Sequence, residues 1–271
     1  MDKECSIFET TLKILKENKI KPKKKLGQSF LVSCEVLRKI IDYVDPKPND
    51  IILEIGAGIG LITEKLAKKC KEVIAVEIDD KLFSILRRRL KNIHNVRLIH
   101  MDFLKMEIPK VDIIFSNTPF SISSNILIKI LKEDNFDKAV LTFQREFGER
   151  LIAQPGTKKY GRLSVFVKIF SDIELKDIIP RSAFFPQPEV ESRIVIIFPK
   201  KIDFIDIDLF EKFTSLLFSQ RRRTLYSALK HVRSDLIDVL STEGKHYLKR
   251  RVYQLSPEDI VFLFNVFKTF L

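Results

Sequence analysis

IILEIGAGIG, residues 51–60, runs from a short apolar segment broken by one acid, Glu54, into a turn carrying glycine at positions 56, 58 and 60. A β-branched run of this length bounded by glycines reads as a buried strand, and the amphipathic stretch at 61–70 behind it reads as a helix. Glycine at the junction lets the backbone turn tightly and approach a ligand with no Cβ in the way. A pyrophosphate-binding turn would space its glycines G-x-G-x-x-G. Here Gly56, Gly58 and Gly60 read G-x-G-x-G behind an acid, which implies a nucleotide-like ligand of another kind.

Outward from this turn the alternation continues. Strand-like runs at 73–78, 96–99, 111–116 and 138–143 are separated by helical stretches such as 80–91, the pattern of an α/β, Rossmann-like doubly wound sheet with helices on both faces. Two further strands fit 172–179 and 190–198, joined by the proline-punctuated IIPRSAFFPQPEVES. After PKK at 199–201 the pattern is helical only, at about 206–218, 220–230, 234–241 and 256–267. The expected organisation is an N-terminal helix and basic arm over 1–25, the doubly wound domain over 26–200 and a small C-terminal α-helical domain over 201–271.

Charge narrows the partner. Against 36 Asp and Glu stand 48 Lys and Arg, leaving +12 and pointing to a polyanion such as nucleic acid or an anionic membrane surface. The basic residues gather in KPKKK at 21–25, RRR at 87–89, QRRR at 220–223 and KRR at 249–251, and four such clusters favour a distributed phosphate-contacting surface. Lys23, Lys24, Lys25, Arg221, Arg222 and Arg223 are its candidate residues, the arginines being expected to open a helix. No apolar run approaches the ~18 to 20 residues that span a bilayer, and the opening residues lack the apolar core of a signal peptide. A soluble, cytoplasmic protein with no membrane partner is expected. Cys5, Cys34 and Cys70 stand in no C-x-x-C spacing, so no metal site is expected.

The chemistry lies at successive strand ends. VEIDD closes the second strand of the set and puts Glu77 21 positions after Gly56, where a carboxylate can accept hydrogen bonds from both hydroxyls of a ribose. HMDF closes the third, with Asp102 and Phe103 beside the expected adenine. The fourth ends in NTPF, and a turn alone would explain Pro119 while leaving Phe120 without a role. An exocyclic amine on a base is a poor nucleophile because its lone pair is delocalised into the ring. If the Asn117 side-chain oxygen and the Thr118 carbonyl accept its two N–H bonds, the nitrogen is drawn toward tetrahedral geometry and its lone pair is aimed at an electrophile. Phe120 would stack on the flipped base, worth roughly 1 to 3 kcal/mol. The electrophile that fits is the sulfonium methyl of S-adenosylmethionine, which brings its own leaving group and positive charge and needs neither a metal nor a strong base.

LGQSFL at 26–31, EIGAGIG, VEID, MDF, NTPF, FQREFGERL at 143–151, YGRLSV at 160–165, AFFPQPEVES at 183–192 and QRRRTL at 220–225 together resemble the ribosomal RNA adenine dimethyltransferase family, and within it the small-subunit (KsgA-like) branch. The resemblance implies a class I methyltransferase fold. It also implies donor contacts at Gln28, Ser29, Leu31, Gly56, Gly58, Glu77, Asp102, Phe103 and Asn117, and an RNA-seating role for the helical domain. The implied reaction is dimethylation of two adjacent adenines near the 3′ end of small-subunit ribosomal RNA, free or in an immature subunit; apart from the resemblance, a monomer is expected. Three positions depart from the family: Thr118 replaces an aliphatic residue, Phe120 a tyrosine and Ser29 an asparagine. Phe120 keeps the stacking face, and a contact through the Thr118 carbonyl is indifferent to its side chain. Two other readings remain: a large-subunit adenine methyltransferase of the resistance type, or an RNA-binding assembly factor for which methylation is dispensable.

Overall fold

The computed structural model describes residues 6–23, 26–202, 205–240 and 244–270. Two compact units emerge. One comprises the chain up to Gly148 with Glu174–Pro199; the other comprises Glu149–Ile173 with the chain from Lys200 onward.

In the first unit, helix α1 (Ile7–Glu17) precedes a two-residue strand, β1 (Phe30–Leu31), and α2 (Cys34–Val44), whose first turn is capped by the Ser33 hydroxyl accepting from Val36 N–H. The doubly wound pattern follows as β2 (Ile51–Ile55), α3 (Leu61–Ala67), β3 (Glu72–Glu77), α4 (Asp80–Arg89), β4 (Val96–His100), β5 (Ile113–Asn117), α5 (Ser123–Glu133) and β6 (Lys138–Gln144). After α6 (Arg145–Leu151) and α7 (Arg162–Phe170) come β7 (Ser171–Ile179), β8 (Phe184–Phe185) and β9 (Ser192–Pro199). Every strand expected from the alternation is present, each end within two residues of its expected place.

The seven-stranded sheet has the order β4-β3-β2-β5-β6-β9-β7. Strands β4 through β6 are parallel neighbours, and β9 runs antiparallel to β6. Ile52, Leu53, Val73, Ala75, Ile114 and Val140 are fully buried, as near-continuous apolar runs in a covered parallel sheet require. The chain steps outward from β2 to β3 and β4, then returns to the other side of β2 with β5. This reversal opens a crevice at the carboxyl ends of β2 and β5, where a doubly wound sheet binds its ligands. The glycine turn leaves β2 and NTPF leaves β5, so both border that crevice.

One contact the alternation did not announce holds the LGQSFL segment in place. β1 pairs with β8, Phe30 opposite Phe185 and Leu31 opposite Phe184, and Val32 N–H donates to Ala183 O at 2.8 Å. The AFFPQP segment is thus the clasp for residues 30–32.

The second unit is helical apart from the start of β7: α7, then α8 (Ile207–Phe218), α9 (Leu225–Val232), α10 (Leu236–Val239) and α11 (Pro257–Phe267). Its core is aromatic. Phe166, Phe170, Phe210, Phe213, Phe264 and Phe267 form a chain of tilted and edge contacts with ring centroids 4.8–6.0 Å apart. Those rings tie α7 to α8 and α11, which is why Glu149–Ile173 joins the unit that was expected to begin only at residue 201. Tyr160 is buried with its hydroxyl donating to Leu255 O at 2.8 Å, while Ser164 donates to Arg150 O and Arg162 pairs with Glu211 at 3.0 Å. YGRLSV therefore pins this unit together. The expected helix at 220–230 starts late: Thr224 caps α9, accepting from Ser227 N–H, and Arg221, Arg222 and Arg223 lie in the turn before it.

Candidate active site

The glycine turn is shaped by contacts on two sides. Gly60 has a φ of 80°, and a Cβ there would lie 2.6 Å from Leu86 Cδ1 on α4, so only glycine lets α3 start this close to α4. Behind the turn, Gly58 N–H donates to Glu77 Oε2 at 2.8 Å, and Asp79 N–H donates to Oε1 at 2.9 Å. The ends of β2 and β3 are thus stitched by the carboxylate expected to hold a ribose. Burial pushes the Glu77 carboxyl up, opposed by these two N–H groups.

Glu54 is the less ordinary acid. It is 2 % exposed and borders the same crevice as Gly56, Glu77 and Asn117, and its Oε2 has no partner among the described residues. Burial, with Glu77 nearby, pushes its carboxyl up to about 8.

The LGQSFL segment closes one wall. Gly27 has a φ of 62°, and a Cβ there would lie 3.4 Å from Pro119 Cβ and 3.5 Å from Phe120 N, so the segment lies directly against the NTPF turn. Gln28 accepts from Lys23 N–H at 2.8 Å and donates to Asp79 Oδ2 at 3.2 Å. Lys23 itself is bound to Asp79, Nζ to Oδ2 at 2.6 Å. Burial raises the Asp79 carboxyl, but Lys23 and the N–H of Leu82 outweigh it and hold the group below the usual carboxylate range. Ser29 turns its hydroxyl to Pro186 O at 2.7 Å and leaves its carbonyl facing Asn117. Leu31 is buried in the wall.

At the end of β5 the Asn117 amide is held on both sides. Nδ2 donates to Ser29 O at 3.0 Å, and Oδ1 accepts from Thr142 Oγ1 at 2.7 Å. Thr118 is buried, its hydroxyl without a partner among the described residues; Pro119 and Phe120 are half-buried, and Phe120 opens a 3-10 turn. Next to this wall is an apolar recess bounded by Val76, Ile78, Asp102, Phe103, Pro119 and Ile122. Asp102 caps the 3-10 turn Phe103–Lys105, accepting from Leu104 N–H at 3.0 Å, and Phe103 is buried with Lys129 Nζ 5.7 Å from its ring centre.

Gln28, Ser29, Leu31, Gly56, Gly58, Glu77, Asp102, Phe103, Asn117 and Pro119 therefore gather around one crevice and its adjoining recess, whereas Thr118 and Phe120 line neither. Thr142 and the Ser29 carbonyl were not anticipated. The available signal for Thr142 was a lone hydroxyl in the otherwise apolar run AVLTF, residues 139–143.

The residues fit an adenosine bearing a positive charge. A Cβ on Gly56 would meet nothing within 4 Å, so the turn faces open space; the apolar recess suits a flat base; and two buried acids, one with an orphaned oxygen, leave polar partners for a ribose and the rest of the donor. Among the described residues no group of three or more His, Cys, Asp or Glu side chains is arranged to hold a metal ion, and no helix is long and apolar enough to cross a membrane.

The basic clusters have divided tasks. Arg89 pairs with Glu64 at 3.2 Å, Arg250 with Asp259 at 2.7 Å, and half-buried Arg221 donates to Lys158 O at 2.9 Å, so each supports its own unit. Arg222 and Arg223 are exposed. Lys24 and Lys25 lie outside the described residues.

The family model of ribosomal RNA adenine dimethylase matches residues 19–269. The ribosomal RNA small subunit methyltransferase A of Thermotoga neapolitana is 42% identical over 255 residues, covering 94% of this chain and 95% of its own. A probable small subunit methyltransferase A of Thermococcus gammatolerans is 38% identical over 254 residues, covering 92% and 90%. Among solved structures, a dimethyladenosine transferase from Plasmodium falciparum superimposes with a TM-score of 0.77 at 30% identity, over 89% of this chain and 98% of its own.

Proposed function

The chain belongs to the ribosomal RNA adenine dimethylase family and is a ribosomal RNA methyltransferase, and from that premise we propose the following reaction: it dimethylates the exocyclic amines of two adjacent adenines near the 3′ end of small-subunit RNA, with S-adenosylmethionine as donor. The observation that carries this reading is the meeting of the Asn117 amide with the glycine turn and Glu77 at the reversal between β2 and β5.

The donor supplies a methyl group on a sulfonium, whose departure leaves a neutral thioether. Glu77 accepts from the ribose hydroxyls while its backbone partners hold it in place, and Asp102 and Phe103 border the recess for the donor adenine. Gln28, Ser29 and Leu31 form the wall on the donor side of the crevice. On the acceptor side, Asn117 Oδ1 and the Thr118 carbonyl accept from the target amine, and Phe120 stacks on the base. The amine nitrogen forms the new bond to carbon, the carbon–sulfur pair leaves with sulfur, and the nitrogen sheds one proton to solvent. The second transfer repeats the sequence on the remaining N–H. All of these residues belong to the first unit of one chain, which fits action as a monomer, and the helical unit is assigned to seating RNA.

The test is to incubate the protein with labelled donor and, separately, purified small subunits, naked small-subunit RNA and large subunits, then map the modified nucleotide. Two adjacent dimethylated adenines in small-subunit RNA are expected. Label in large subunits, or tight binding to small subunits without label, would sink the reading.

A further inference from the structure

We infer that Thr142 is a positioning residue for methyl transfer, holding the Asn117 amide with its oxygen toward the target amine. The inference rests on the role proposed above for Asn117.

An asparagine amide is nearly symmetric in shape, and its two ends have opposite hydrogen-bonding character. Only the oxygen can accept from an exocyclic amine; a flipped amide would set N–H against N–H. The Ser29 carbonyl sets which end is where, and the Thr142 hydroxyl, which could donate or accept, then anchors the oxygen end. The Ser29 carbonyl can only accept and takes Nδ2 at 3.0 Å, while the Thr142 hydroxyl donates to Oδ1 at 2.7 Å. One lone pair of that oxygen is thereby occupied and the other left for substrate.

The fold places Thr142 for this purpose. Thr142 is the register partner of Asn117 in the parallel pair of β5 and β6, so both side chains leave the sheet on the same face. It is fully buried, and its branched Cβ leaves few rotamers for the hydroxyl to explore. Serine 29 belongs to the donor-side wall, so the chain Ser29–Asn117–Thr142 links that wall, the catalytic amide and the next strand of the sheet.

A purely structural threonine predicts opposite results. Thr142→Val keeps the shape and removes the donor; Thr142→Ser keeps the donor and removes a methyl group. If Thr142 merely packs, the valine variant should behave as the parent and the serine variant should lose stability, as a shaved core residue does. If it positions the amide, Thr142→Val should keep a near-parental melting temperature and donor and RNA affinities within a few-fold. Its single-turnover rate at saturating donor and RNA should nevertheless fall about tenfold or more, the value of one net hydrogen bond. Thr142→Ser should recover that rate to within a few-fold. In an Asn117→Ala background, Thr142→Val should cost nothing further, because the interaction it serves is gone.

A parental rate for Thr142→Val, or a full tenfold loss in the Asn117→Ala background, would overturn the inference while leaving the methyltransferase reading intact. If the parent itself transferred no methyl group to small-subunit RNA, the earlier reading would fail, and the side-chain amide signals of Asn117 in an NMR spectrum would decide this one. The Nδ2 protons, held on Ser29 O, should exchange slowly with solvent in the parent and in Thr142→Ser, and markedly faster in Thr142→Val. Identical exchange in all three would refute it.

Discussion

Glu77 is committed twice, to the backbone of the glycine turn and, in the proposed complex, to a ribose. Glu77→Ala should therefore weaken S-adenosylmethionine binding by about 1.5 to 3 kcal/mol for the lost charge-assisted acceptor. It should also leave Gly58 N–H without its partner, so calorimetry on a folded variant should show weaker affinity; parental affinity would move the donor elsewhere. Glu54 makes a separate prediction about pH. Its carboxyl is held near 8 in the fold against an ordinary value of 4.5, so the folded chain keeps a proton that the unfolded chain releases. That contribution is complete below about pH 4.5 and fades as pH rises toward 8, on the order of a few kcal/mol at most. Denaturant melts of the ligand-free protein across that range should thus fall more steeply for the parent than for Glu54→Gln; parallel curves would show that Glu54 is ionised in the fold. At this scale the sequence was informative wherever a residue carries its chemistry in its own side chain, as Glu77 and Asn117 do. For Thr142 it offered only a hydroxyl in an apolar run, and the role exists because β5 and β6 set that residue opposite Asn117.

The turn between α8 and α9 shows how a local signal can mislead. Gln-Arg-Arg-Arg is good helix-forming sequence, yet Thr224 supplies the cap and α9 begins after the arginines. The three arginines of this turn are not equivalent: Arg222 and Arg223 are exposed, and Arg221 is half-buried. Replacing exposed Arg222 and Arg223 by Gln should weaken RNA binding and reduce the slope of log affinity against log salt by somewhat less than one unit per contact, roughly 0.7 for single strands and 0.9 for duplex. Arg221→Gln should instead lower the stability of the helical unit, since its guanidinium donates to Lys158 O. Filter binding over a range of salt separates the two, and a slope unchanged in the Arg222/Arg223 variant would remove this turn from the RNA surface. The two-residue strands β1 and β8 mark a second limit of legibility. Neither is long enough to show periodicity, and their pairing joins positions more than 150 apart.

Across the whole molecule, the doubly wound sheet was legible because its central strands β2, β3, β5 and β6 are apolar runs bounded by turns, whereas the division into units was not. The rings of Phe166 and Phe170 look like any amphipathic helix face in sequence; their partners on α8 and α11 are what assign them to the helical unit. The β1–β8 clasp has a further consequence, for the order in which the protein is made. Synthesis delivers the glycine turn, Glu77 and Asn117 well before Phe184 and Phe185, so a nascent chain can assemble most of its sheet while residues 30–32 still lack their partner strand. Closing so wide a loop comes late because its entropy is recovered only at the end. In pulse-labelled refolding, the Val32 amide, which donates to Ala183 O, should gain protection after the amides joining β2 to β5; equal or earlier protection would refute that order. A growing polypeptide would then acquire its methyl-transfer chemistry in one late step, remaining inert beside the very ribosomes whose RNA it is built to modify.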